Sequence, residues 1–109
     1  MPPTDLSFLE SAFLSFVETS VHRVAHSGDM VYRYRITASD IKAKTGRQRL
    51  HGAVITECVQ FFEHHGAHAS YDEKFTAFEV IIDLNRAVLT PSQAKFLSKA
   101  MELYRAENQ

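Results

Sequence analysis

The segment Ile36–Gly46 reads "ITASDIKAKTG" and contains the start and end signals of a short helix. The hydroxyl of Thr37 can accept a hydrogen bond from the backbone N–H of Asp40, three positions later, as is usual at a helix N-terminus. Gly46 can adopt the left-handed conformation that commonly follows the last residue of a helix. The segment therefore predicts a short helix that begins after Thr37 and presents Ile41 to the core.

A longer helix is expected to follow, from about residue 47 to residue 65, and to end in the segment "FFEHHG" (Phe61–Gly66). Apolar residues at helical spacing form one face of this helix: Leu50, Val54, Cys58 and Phe61. Polar or small residues form the opposite face: Gln48, Arg49, Gly52, Thr56, Gln60 and Glu63. The two helices together are expected to occupy residues 38–65.

Helices are also predicted near both ends of the chain. Apolar residues recur at three- and four-residue steps over about residues 5–27, and again over about residues 91–107. The second of these helices opens with Thr90, Pro91 and Gln93, which combine a proline at the first helical position with a capping box.

Strands are predicted between these helices. The stretch "MVYRYRI" alternates β-branched or aromatic residues with Arg33 and Arg35, which indicates a half-exposed strand with both arginines on one face. Residues 67–83 are expected to form a hairpin, with Phe78, Val80 and Ile82 on its core face. The chain is thus one α+β domain, 1–109, of the order helix, strand, helix, helix, strand, strand, helix.

The composition is that of an ordered globular domain, with 45% hydrophobic and 11% aromatic residues. No apolar run approaches the roughly 18 residues that a membrane span needs, so no membrane partner is expected. The N-terminal residues lack the basic region and apolar run of a secretory signal. The single cysteine excludes an internal disulfide and suits a reducing compartment, so a cytoplasmic protein is expected.

Positive charge is concentrated between Arg33 and Arg49. Six of the twelve Lys and Arg residues lie in this segment against one acid, Asp40, so its net charge is +5 while the rest of the chain carries −6. Such an asymmetry indicates a surface for an anionic partner. An ordinary solvated surface is the alternative explanation.

The chain shows no pattern typical of an enzyme. It contains no glycine-rich phosphate loop and no serine nucleophile motif. Histidines occur as a pair, His22 and His26, and as a cluster, His64, His65 and His68. Neither group has the nearby cysteine pair or the glutamate that zinc sites of known type would add. Catalytic residues, a bound metal and a cofactor are therefore not expected.

These features resemble the winged helix-turn-helix superfamily. Its members commonly read hydrophobic-Thr-x-x-x-Ile-x-x-x-Thr-Gly, followed by a recognition helix that ends in Leu-x-x-x-Gly and then by a two-stranded wing. The matching residues here, within residues 30–83, are Ile36, Thr37, Ile41, Thr45, Gly46, Phe61, Phe62 and Gly66. The resemblance implies an α+β winged helix-turn-helix fold with an added C-terminal helix.

The chain departs from the superfamily pattern at two places. The interval from Gly46 to Gly66 is about one helical turn longer than usual, so the recognition helix is either long or preceded by a loop. The expected wing tip, residues 72–74, is net acidic, whereas a wing that lies on phosphates generally offers Lys or Arg.

The resemblance implies a small DNA-binding protein, either a transcriptional regulator or a plasmid or phage DNA-binding factor. Its helix 47–65 would enter the major groove of double-stranded DNA. The residues expected at the bases are Arg47, Gln48, Arg49, Gly52 and Thr56. The residues expected at the phosphates are Lys42, Lys44, Arg33 and Arg35. The alternative is a winged-helix-like protein–protein interaction module, an adaptor or inhibitor, that does not bind DNA.

A homodimer is also expected, because the first and last helices carry more large apolar residues than a core of this size should absorb. The predicted dimer interface consists of Phe8, Phe13, Phe16, Phe96, Met101 and Tyr104. A two-fold dimer would present two recognition helices, as palindromic DNA sites require.

Overall fold

The computed structural model describes residues 1–108. Within these residues it contains four helices and three strands, in the predicted order. They are α1 (Pro3–Ser27), β1 (Val31–Thr37), α2 (Ala38–Thr45), α3 (Gly52–His64), β2 (His68–Asp72), β3 (Ala77–Asp83) and α4 (Pro91–Glu107). The fold is therefore α+β, as predicted.

The three strands form one antiparallel sheet of order β1-β3-β2. β1 pairs with β3 along its full length, from Val31 opposite Asp83 to Thr37 opposite Ala77. β2 pairs antiparallel with the other edge of β3, so the predicted hairpin is confirmed. The alternation of exposed and buried residues along β1 places Arg33 and Arg35 on the solvent face of the sheet, also as predicted.

The core lies between the helices and the inner face of the sheet. Its most deeply buried large apolar side chains come from α1, α3 and β3: Leu9, Val17, Val24, Phe62, Phe78, Val80 and Ile82. α4 packs along α1, and α3 packs against β2. Burial of these apolar surfaces is the main force that holds the helices on the sheet.

The start of α3 differs from the prediction. α3 begins at Gly52, whereas the sequence pattern had placed its start at about residue 47, and residues 47–51 instead form a connection after α2. The apolar pattern misled because Leu50 packs against the core from this connection, as a helical residue would. Gly52 is consequently the first helical residue and does not lie in the middle of the helix.

Gly66 lies where two backbone segments of the chain approach each other closely, and its substitution tests this approach. Its φ is +81°, and a Cβ atom at this position would collide with the carbonyl oxygen of Arg86. Gly46 has nearly the same φ, +77°, but open space around it. We expect Gly46→Ala to lower the free energy of unfolding by about 1–2 kcal/mol, the cost of the left-handed backbone alone.

Gly66→Ala should cost at least about 2 kcal/mol more than Gly46→Ala, because backbone must move to relieve the collision. Urea unfolding of the two variants measures the difference. Equal stabilities would show that the approach of Arg86 to Gly66 is not close.

Candidate nucleic-acid interface

The helix α2 is defined at both ends by the residues that the sequence pattern indicated. The hydroxyl of Thr37 accepts a hydrogen bond from the backbone N–H of Asp40 at 3.1 Å. Gly46 adopts φ +77°, and its N–H donates to the carbonyl of Lys42 at 3.0 Å. These caps fix where the chain leaves α2, and so where the following connection can run.

A groove of about 430 Å³ lies between α2, the connection to α3 and the β2–β3 hairpin. On one side its polar side chains come from α2 and the connection: Ser39, Lys42, Gln48, Arg49 and His51. Tyr71 and Thr76 of the hairpin contribute to its other side. Two of the lining residues are cations and none is an acid, so the groove favours an anionic ligand.

One backbone hydrogen bond connects the two sides of this groove. The N–H of Ala38, at the start of α2, donates to the carbonyl of Thr76 at 2.8 Å. The hairpin and α2 are therefore held together at the groove.

The exposed face of α3 continues from the groove. His51 lines the groove and directly precedes Gly52, and its side chain makes no capping hydrogen bond to the first turn of the helix. Gly52, Thr56 and Gln60 are exposed, as the sequence pattern predicted. No atom lies within 4 Å of the place where a Cβ of Gly52 would stand, so packing within the chain does not require glycine there.

Arg47 makes an ion pair that the sequence did not indicate. Its Nε donates to both carboxylate oxygens of Asp5, at 3.0 and 2.9 Å, and Asp5 is only 5% exposed. The hydrogen bonds to Asp5 raise the pKa of the Arg47 guanidinium above its already high ordinary value. The guanidinium that was expected at the bases thus holds an ion pair that links the α2–α3 connection to α1.

Of the four residues predicted to contact phosphates, only Lys42 lines the groove. Arg33 and Arg35 are on the solvent face of the sheet, where Arg35 pairs with Glu79 at 3.1 Å. Lys44 lines a separate depression beside Pro3 and the first turns of α1. The six cations of the basic segment therefore do not form one continuous strip. Two of them, Lys42 and Arg49, share the groove.

Cys58 has no environment suited to a reactive thiol. Burial raises the pKa of its thiol to about 11, and the carboxylates of Asp5 and Glu57 contribute further. His65 is structural as well, because its Nδ1 lies 2.8 Å from the carbonyl oxygen of Phe61 and its ring packs against Phe13. Within residues 1–108, no three His, Cys, Asp or Glu side chains are arranged to hold a metal ion.

Most of the apolar residues assigned to a dimer interface pack within the chain. Phe13 is in the core, and the ring of Phe16 stacks on Tyr34 with centroids 4.5 Å apart. Phe8 and Met101 pack against the core, and the ring of Tyr104 lies directly over Gly28. Phe96 is the exception, with 57% of its surface exposed. The excess of apolar surface is thus smaller than the sequence suggested.

Two residues that line the groove, Tyr71 and Thr76, were absent from the predicted site. Both belong to the hairpin. Their proximity to α2 depends on strand pairing between β1 and β3, which brings residue 37 opposite residue 77. Phe75, in the turn before Thr76, is an exposed aromatic that the sequence analysis also did not single out.

No helix within residues 1–108 combines the length and the apolar character needed to cross a membrane. Comparison of the chain with protein-family models, with curated proteins and with solved structures gives no significant match. What this protein binds must therefore be inferred from its own side chains and their arrangement.

Proposed function

We propose that this protein is a small DNA-binding protein of the winged helix-turn-helix type. In this proposal α2 and α3 are the helix pair, α3 is the recognition helix and the β2–β3 hairpin is the wing. The order of the elements, the sheet order β1-β3-β2 and the glycine turn after α2 support this assignment. In this proposal the protein acts either as a transcriptional regulator or as a plasmid or phage DNA-binding factor.

The observation that carries the proposal is the continuity of the groove with the exposed face of α3. Lys42, Gln48, Arg49 and His51 lead directly to the first turn of α3, where Gly52 leaves open space. A helix that enters the major groove needs donors at its N-terminal end. Its uncapped first turn also presents backbone N–H groups, which favour phosphate.

We propose a separate role for each of these residues, according to where its side chain lies. Gln48, Arg49 and Thr56 are the candidates for contacts with bases, and Gly52 allows close approach. Lys42 is the candidate for a phosphate beside the groove. Arg33, Arg35 and Lys44 lie on other surfaces, so they would reach only phosphates outside the central contact.

The test is a titration with duplex DNA in which binding is measured by fluorescence anisotropy. The titration is repeated at a series of salt concentrations, from about 50 mM upwards. We expect binding that weakens with salt, with a slope of roughly −2 to −5 in log K against log salt, because a few phosphates would be neutralised. Absence of binding to any duplex at about 50 mM salt would contradict the proposal. The groove would then be a docking site for an acidic protein, as in the alternative of an interaction module.

We further propose that the protein is a two-fold homodimer through a groove between α1 and α4. This α1/α4 groove is lined by Leu14, Glu18, Val21, His22, Gln93 and Phe96, among others. Phe96 is one wall of it and also projects into solvent. The exposed side chain of Phe96 and the α1/α4 groove lie side by side, so this surface can pair with a second copy of itself. A two-fold axis between the side chain and the groove would let each Phe96 enter the partner's groove.

Charge supports the same arrangement. Glu18 lines the α1/α4 groove, and Lys99 follows Phe96 by three positions on α4, which places the two side chains on neighbouring parts of its surface. A two-fold axis through the groove would bring Glu18 of one protomer towards Lys99 of the other.

Phe96→Glu is the variant that tests the dimer. We expect wild-type protein to sediment as a dimer at tens of micromolar, and Phe96→Glu as a monomer, because its carboxylate would have to be buried in the partner's groove, which Glu18 lines. Val31→Glu is the matched control, since Val31 is also exposed but lies at the start of β1. Wild-type protein that sediments as a monomer at this concentration would contradict the dimer.

A further inference from the structure

The turn between β2 and β3 holds an exposed aromatic side chain in a fixed position. Phe75 is 54% exposed. The carboxylate of Asp72 accepts a hydrogen bond from the N–H of Lys74 at 2.9 Å, which closes the turn. Thr76 has φ +46°, an uncommon conformation for a threonine, and its carbonyl is bonded to Ala38. The turn is thus held internally and tied to α2.

Two cations lie beside the ring of Phe75. The guanidinium carbon of Arg35 is 5.1 Å from the ring centroid, and the Nζ of Lys74 is 5.6 Å from it. Phe75 directly precedes Thr76, which lines the groove that contains Lys42 and Arg49. The ring therefore lies against the solvent face of the sheet, at the turn that leads into the groove, and Arg35 beside it also pairs with Glu79.

An aromatic ring next to cations is a combination that binds nucleic acid, because the ring stacks on a base while the cations neutralise phosphates. Apolar side chains that enter between base steps also act as wedges in duplex DNA.

We propose that Phe75 stacks on a nucleobase of DNA that extends from the groove past the hairpin turn. This inference rests on the proposed function and specifies how the hairpin takes part in it. The carboxylate of Asp72 accepts a backbone hydrogen bond within the turn, so the contact with the base is assigned to the ring. The base is either one of a duplex step that the ring opens or an unpaired base, since both offer the same π-face.

The absence of tryptophan from the chain allows a direct measurement. Phe75→Trp introduces a single tryptophan at the turn. We expect its emission to be quenched on addition of DNA, with the same concentration dependence as the anisotropy of labelled DNA. Leu103→Trp is the matched control, because Leu103 is exposed to a similar degree on α4, and its emission should not respond to DNA.

Phe75→Ala and Phe75→Leu test the energetic part of the inference. Both should lower DNA affinity, roughly 5- to 150-fold, which corresponds to the loss of one base–aromatic stack. Phe75→Leu retains apolar bulk without the aromatic ring, so an affinity near that of Phe75→Ala assigns the effect to stacking. Far-UV circular dichroism and thermal unfolding show whether the variants are folded.

The outcomes separate this inference from the function on which it rests. Stronger quenching with single-stranded than with duplex DNA identifies an unpaired base, and the reverse identifies a duplex step; either result supports the stack. DNA binding without quenching, and with wild-type affinity for Phe75→Ala, overturns the stack but leaves DNA binding intact. No DNA binding by wild-type protein overturns both.

Discussion

Arg47→Met is expected to lower the melting temperature of this protein by more than about 10 °C. The substitution keeps much of the aliphatic volume of the side chain but removes both hydrogen bonds from Nε to the carboxylate of Asp5. Asp5 is buried at the start of α1, so it would be left as a charge without its partner. Removal of one member of a buried ion pair is strongly destabilising for this reason.

The two partners should not be equivalent. Asp5→Ala leaves Arg47, whose side chain is partly exposed and can be hydrated, so its effect on the melting temperature should be clearly smaller. The double variant Asp5→Ala/Arg47→Met should resemble Asp5→Ala alone, because it contains no buried charge. Arg33→Met, on the solvent face of the sheet, is the control for loss of an arginine and should change the melting temperature little.

Additive effects of Asp5→Ala and Arg47→Met in the thermal unfolding experiment would contradict this account. They would indicate that the two side chains contribute independently, and that the connection between α2 and α3 is held by other contacts such as those of Leu50.

The second large effect concerns DNA. Combination of Lys42→Glu with Arg49→Glu should lower duplex affinity at about 50 mM salt by at least about 100-fold, because both cations of the groove become anions. Lys95→Glu with Arg105→Glu changes the total charge by the same amount on α4 and is the matched control. Equal losses for the two double variants would show that net charge, and not the groove, determines binding.

Single substitutions should distinguish base from phosphate contacts. Arg49→Ala should cost about 1–3 kcal/mol on the preferred sequence and little on random duplex. Lys42→Ala should weaken binding to all sequences alike and reduce the salt slope by about one unit. The same anisotropy titration, repeated at several salt concentrations, measures both quantities. A uniform effect of Arg49→Ala on all sequences would reassign Arg49 to a phosphate.

Several elements of this fold could be predicted from residues that are close together in the chain. The Thr37 cap, the Gly46 turn and the capping box of Thr90 with Gln93 are all present. The alternation along β1 and β3 correctly identified the side chains that face the core, such as those of Phe78, Val80 and Ile82. Such features depend on backbone geometry and on hydrophobic periodicity over a few residues. They can therefore be predicted from a short segment of sequence.

The composition of the candidate site depended on contacts between distant parts of the chain. Arg47 and Asp5 are 42 positions apart, and no local pattern marks them as partners. The six cations of the basic segment are close in sequence, but α2, its connection and β1 direct them to different surfaces. The sequence therefore determined the helices, strands and turns, whose causes are local. Only tertiary packing decided where α3 begins, which cations meet at the groove and which aromatic rings remain exposed, because burial and pairing depend on what lies opposite each side chain.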